Sequence, residues 1–213
     1  MRYNEIAQRW LEWWKSHTDE ATKEKAKRTE LLDLVAYLVD SNVYADSRPV
    51  GELFWGEGNV NADIVFAGMR PSQIELLLEP GPLREQWQEM CRGLNIPCTT
   101  KDAYFTSMLK HERLHFGPEV WERLRQSFDA EIALLAPKVV IAMGDWGGLS
   151  VFPNMSLAAS GGRMKVERLG LAPVTFIASD HPALLLGTSP YRTAMIKSPL
   201  ERAAEVLHGE GAL

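Results

Sequence analysis
The stretch Ala62-Asp63-Ile64-Val65-Phe66-Ala67-Gly68-Met69-Arg70-Pro71-Ser72 decides the fold. Ile64 to Ala67 is apolar at every position, and Gly68 and Pro71 stop the run abruptly. A short apolar run without alternation, closed by glycine and proline, predicts a buried parallel strand that ends in a loop. In open α/β sheets, ligands bind at the carboxyl ends of such strands. The loop from Gly68 to Glu75 is therefore the first candidate for the wall of a site.

Outward from this strand, three more are predicted: Ala103 to Leu109, Lys138 to Met143 and Val174 to Ala178. Helices are predicted over Leu83 to Leu94, over Pro118 to Leu135 and over Thr193 to Leu207. In the second of these, proline opens the helix and Val120, Leu124, Phe128, Ile132 and Leu135 form its apolar stripe. A short helix is predicted from Asp145 to Val151, and a turn from Ser160 to Arg163. Upstream, Ile6, Trp10, Leu11, Trp13 and Trp14 recur at helical spacing over residues 3–17. The charged stretch Asp19 to Glu30 reads as a solvated helical face, and Leu31 to Val39 as a second helix running to Asp40. Ser41 to Asn61, rich in glycine and polar residues, reads as a loop.

Strands alternating with helices predict an α/β fold. Its central sheet is mostly parallel and four-stranded, and residues 1–213 form one domain with an N-terminal helical extension over 1–42. The strand ends then converge on one edge. They present Met69 to Ser72, Ser107 to Arg113, Asp145-Trp146 and Asp180-His181.

With 46% apolar residues, the 213-residue chain has enough for a full core. A net charge of −5 argues against a surface coated in basic residues, though a local basic groove remains compatible with it. Two cysteines, Cys91 and Cys98, make neither a disulfide framework nor a four-cysteine metal site. No apolar run approaches a membrane span and the N-terminus lacks a signal-peptide pattern, so a cytoplasmic protein with no membrane partner is expected.

Five stretches carry a family likeness. Phe54-Trp55-Gly56-Glu57-Gly58-Asn59 leads into the first strand, and Gly68-Met69-Arg70-Pro71-Ser72-Gln73-Ile74-Glu75 follows it. Phe105-Thr106-Ser107-Met108-Leu109-Lys110, Pro137-Lys138-Val139-Val140-Ile141-Ala142-Met143-Gly144 and His181-Pro182-Ala183-Leu184-Leu185 come after, in that order. Together, over roughly residues 52–208, they resemble the uracil-DNA glycosylase superfamily, most closely its thermophile-type iron–sulfur branch. The resemblance implies a three-layer αβα fold, DNA as partner, and a base flipped into a pocket at the strand ends.

Carried over by position, His181 stabilises the departing base anion and Glu75 matches the glutamate after the first loop. Ser107 takes the place of the asparagine that reads the pyrimidine edge, and Leu83 that of a stacking aromatic residue. Gly68, Met69, Arg70, Pro71, Ser72 and Asp180 complete the substrate pocket, and Pro182 lies against DNA. The chain also departs from the pattern. Met69 and Arg70 replace the polar or acidic group that orients water, and Ser72 replaces a glycine. Ser107 offers one hydroxyl in place of a bidentate amide, and the segment after Pro82 is shortened. The cluster cysteines are missing, with His111 where one would stand, so no iron–sulfur cluster, other cofactor or metal is expected.

Cleaving an N-glycosidic bond requires donors to the leaving base and a water or charge near the sugar. His181 is the candidate donor; Glu75 is the candidate water-orienting group, with Asp180 in reserve. Lys110, His111, Arg113 and His115 follow a strand end and form a candidate DNA-backbone contact, which Arg163, Lys165 and Arg168 would extend. Hydrolysis of uracil or another deaminated or damaged base is thus one expectation. The alternative is a catalytically inactive protein of the same fold that binds nucleic acid or a protein partner. A metallophosphoesterase would need an Asp-x-His after the first strand, where Gly68-Met69-Arg70 stands. A serine hydrolase would need a Gly-x-Ser-x-Gly elbow, which the chain lacks.

Overall fold
The computed structural model describes residues 20–40, 54, 56–110, 118–144, 164–169, 172–187 and 190–209. The predicted helices at 3–17 and 145–151, the turn at 160–163, and His111, Arg113 and His115 lie outside these residues. In chain order the elements are α1 (Glu20–Asp40), β1 (Glu57–Gly58), β2 (Ile64–Gly68), α2 (Pro71–Leu78), α3 (Pro82–Gly93) and β3 (Tyr104–Ser107). There follow α4 (Pro118–Leu135), β4 (Val139–Met143), β5 (Met164–Leu169), β6 (Ala172–Ser179), a 3-10 turn (Pro182–Leu186) and α5 (Pro190–His208).

Among the described residues the sheet has six strands, in the order β1-β3-β2-β4-β6-β5. The four predicted strands are its parallel centre, with Val65 opposite Tyr104 and Val140, and Val140 opposite Phe176. The expectation of four strands is corrected by two antiparallel edges, β1 on β3 and β5 on β6. Neither edge shows as an apolar run. In β5, Lys165, Glu167 and Arg168 alternate with or follow apolar residues, and β1 is a two-residue strand that includes a glycine. Gly58 has φ +123°, and a Cβ there would run into the Ala103 carbonyl oxygen.

Side chains alternate across the sheet, so each of the four central strands feeds two cores. Val65 and Ala67 of β2 join Val140, Ala142 and Phe176 against Leu38 of α1 and Leu124, Phe128 and Ile132 of α4. Ile64 and Phe66 join Phe105, Ile141 and Ile177 against Ile74 of α2, Trp87 of α3, and Ile196 and Leu200 of α5. Phe66 is the centre of the second core. Its ring lies 5.2 Å from Phe105 in a stacked pair and 5.2 Å from Trp87 in an edge contact.

Two local expectations change. The predicted loop from Gly68 to Glu75 is mostly helix, because Pro71 occupies the first turn of α2 and Ile74 and Leu77 bury one stripe. The charged stretch before Leu31 is not solvated throughout. Lys27 is buried and donates to the carbonyls of Val60 (3.1 Å) and Leu135 (3.0 Å), tying α1 to the end of α4. No helix among the described residues is long and apolar enough to cross a membrane.

Candidate functional site
The chain runs from β2 outward to β3 on one side, then returns across β2 to place β4 on the other. A sheet whose order reverses in this way opens a crevice at the carboxyl ends of the two strands flanking the switch. Those ends are Gly68 of β2 and Gly144, just past β4. Gly144 has φ +77°, a left-handed conformation, and its N–H donates to the Ser179 carbonyl at 2.8 Å.

Two side chains meet at that bend. A Cβ on Gly144 would lie 3.3 Å from Gln73 Nε2, 3.7 Å from His181 Cβ and 3.8 Å from His181 Cδ2. Gln73, in the first turn of α2, takes the Met69 N–H on its Oε1 at 2.8 Å and the Arg70 N–H at 3.3 Å. Since both partners are donors, the atom they meet is the amide oxygen, and the amide nitrogen with its two hydrogens is what faces Gly144. His181 caps the 3-10 turn, its Nδ1 accepting from the Ala183 N–H at 3.0 Å. In the neutral ring the proton then resides on Nε2, a buried atom, which makes His181 a donor there. A bend at the switch point is thus flanked by two N–H donors.

The other predicted residues divide. Gly68 is buried, and a Cβ on it would press on Gln73 and Ile74 at 3.2 Å, so its lack of a side chain lets α2 start tight against β2. Met69 and Arg70 are half-buried at the α2 start, Pro71 is buried in it and Ser72 is exposed. Asp180 is half-buried, its carbonyl accepting from the Ser179 hydroxyl at 3.1 Å, and Pro182 is buried. Glu75 is exposed, and two residues of helix turn it about 200° from Gln73. Leu83 is a core residue, 5% exposed. Ser107 is fully buried and donates its hydroxyl to the Leu109 carbonyl at 2.6 Å.

Lys110 corrects the expected phosphate contact. Its Nζ lies 2.7 Å from Glu131 Oε2 and 2.7 Å from Thr106 Oγ1, while Thr106 donates to Glu131 Oε1 at 2.7 Å. The whole triad is buried, because α4 carries Glu131 over the end of β3. Burial, and next the Glu131 charge, push the nearby Tyr104 phenol up.

Gln73 lies inside the candidate loop from Gly68 to Glu75, yet the sequence assigns it no role of its own. Its signal was its place two residues after Pro71, in the first turn of a helix. Among the described residues, no group of three or more His, Cys, Asp or Glu side chains could hold a metal ion. No family model matches the chain, and no curated protein matches it.

Proposed function
We propose that the chain is a DNA base glycosylase of the uracil-DNA glycosylase type, with the three-layer αβα arrangement of that superfamily. The observation that carries this is the pair of donors, Gln73 and His181, gathered at Gly144 where the sheet order reverses. When an N-glycosidic bond breaks, the base leaves with the bonding electrons and becomes an anion. N–H groups already aimed at it stabilise that charge without reorganising. His181 Nε2 and Gln73 Nε2 are the groups for this task, and Asp180, beside His181, takes over from Glu75 as the carboxylate that orients water. Leu186 and Tyr191, 59% and 73% exposed, follow His181 in the chain. Exposed apolar groups of this kind push between base steps when a base is flipped out.

A second reading has its own observation. The Ser107 hydroxyl and the Lys110 ammonium are spent on internal partners. This favours a protein of the same fold that binds DNA or a protein partner without cleaving.

A glycosylase assay separates them. Single- and double-stranded oligonucleotides carrying uracil, hypoxanthine, xanthine or a methylated base are incubated with the protein and treated with alkali. Cleavage at one base is expected, falling by about 10²–10³ in His181→Ala and in Gln73→Ala. No abasic sites at high enzyme, with salt-sensitive DNA binding retained, would establish the second reading in its nucleic-acid form. Loss of binding as well would retire DNA as the partner.

A further inference from the structure
Away from the switch point, α3 ends in a reversal that brings two cysteines together. The Cys91 carbonyl accepts the N–H groups of Leu94 (3.0 Å) and Ile96 (2.9 Å), and Asn95 between them takes the left-handed conformation at φ 53°. The chain therefore folds back on the helix end, and Cys98 packs against the same apolar core that contains Cys91. Because Ile96 is hydrogen-bonded to Cys91, Cys98 two residues further on is carried back beside the end of α3. Cys91 is fully buried, on the Leu83–Trp87–Cys91 stripe of α3. Cys98 is half-buried and lines an open cavity of about 460 Å³ with Gln88, Arg92 and Asp102. One sulfur is thus shielded and the other is reachable from solvent beside a guanidinium.

We propose that Cys98 and Cys91 are a peroxide-reactive pair, in which Cys98 is oxidised first and Cys91 then closes a disulfide with it. The thiolate is the nucleophile in such chemistry, and a neighbouring donor and cation favour it. The Cys91 S–H and then the Arg92 charge draw the Cys98 thiol down, against burial and the Asp102 charge, while Cys91 is held protonated by the same contact and by burial. In the first step the Cys98 thiolate attacks one oxygen of hydrogen peroxide. An S–O bond forms, the O–O bond breaks and hydroxide leaves, so sulfur is oxidised and peroxide reduced. In the second step Cys91 sulfur attacks Cys98 sulfur. The S–S bond forms, the S–O bond breaks, and the Cys91 proton leaves with the hydroxide as water.

The test uses the full reduced chain, pulsed with hydrogen peroxide, quenched with N-ethylmaleimide and read by intact mass and peptide mapping. The wild type is expected to lose both alkylation sites together, yield a linked Cys91–Cys98 peptide, and recover both thiols in dithiothreitol. In Cys98→Ser, oxidation of Cys91 slows by about tenfold or more, because the buried thiol lacks its accessible partner. In Cys91→Ala, Cys98 stops at the sulfenic acid and is trapped by dimedone. The proposal is overturned if the wild-type thiols both survive peroxide that oxidises free cysteine, if they link only between chains, or if Cys91 oxidises as fast in Cys98→Ser. The wild-type map decides even where a variant fails to fold.

Discussion
The Lys110–Glu131 pair has only 5% and 6% of its side chains exposed, so each charge depends on the other for solvation. Removing one partner of such a pair costs about 3–5 kcal/mol, whereas replacing both by apolar groups is often neutral. Lys110→Met is therefore expected to lose stability of that order in urea unfolding. Lys110→Met with Glu131→Leu should recover most of it, and equal losses in the single and double variants would contradict the account. At Gly144 a side chain would be strained by about 1–2 kcal/mol in the left-handed region. Gly144→Ala would also crowd Gln73 Nε2 at 3.3 Å, so the denaturant midpoint should fall, and with it the base cleavage proposed above.

At the scale of elements, a side chain of the first turn holds the start of α2. Gln73 occupies two backbone N–H groups that the helix itself leaves unpaired. Gln73→Ala is expected to cost about 0.5–2 kcal/mol, the range of a lost cap, measured by denaturant midpoint. α1 is tied down by another side chain. Lys27→Met removes the donor shared by the Val60 and Leu135 carbonyls, at about 1–3 kcal/mol for buried groups left unmade. Cleavage within α1 by limited proteolysis should accelerate before the rest of the chain is cut. Uniform cleavage across the chain would show instead that α1 and the sheet open as one unit.

For the whole molecule, Tyr104 gives a pH signature. Its phenol is raised above the ordinary value of about 10, by burial first and then by Glu131. A raised folded value means that its contribution is fully present below about pH 10 and is lost as pH climbs from there towards the folded value. Stability measured from neutral pH to beyond pH 10 should fall at the alkaline end, and Tyr104→Phe should flatten the part of that slope owed to this residue. An unchanged slope would place the alkaline loss on other groups.

The parallel centre of the sheet was legible because β2, β4 and β6 are apolar on both faces, a pattern imposed by helices covering a sheet on two sides. The bounds of α4 were legible for a similar reason: proline opens the helix and its stripe recurs at helical spacing. His181 stood out because a histidine before a proline at a strand end is visible within a few residues of chain. The edge strands were not legible. An edge is half paired and tolerates charge, so β5 reads as a basic patch and β1 as a glycine loop. Lys110 looked like a surface cation until α4 carried Glu131 to it from 21 residues away, a meeting that depends on packing alone. The sequence by itself determined the central strands, the bounds of α4 and the α/β class, because periodicity and backbone preference act over a few residues. Only the tertiary structure decided the strand order, and with it that Gln73 and His181 share the bend at Gly144. Side chains far apart in the chain become neighbours only once the sheet has set which strand ends lie side by side.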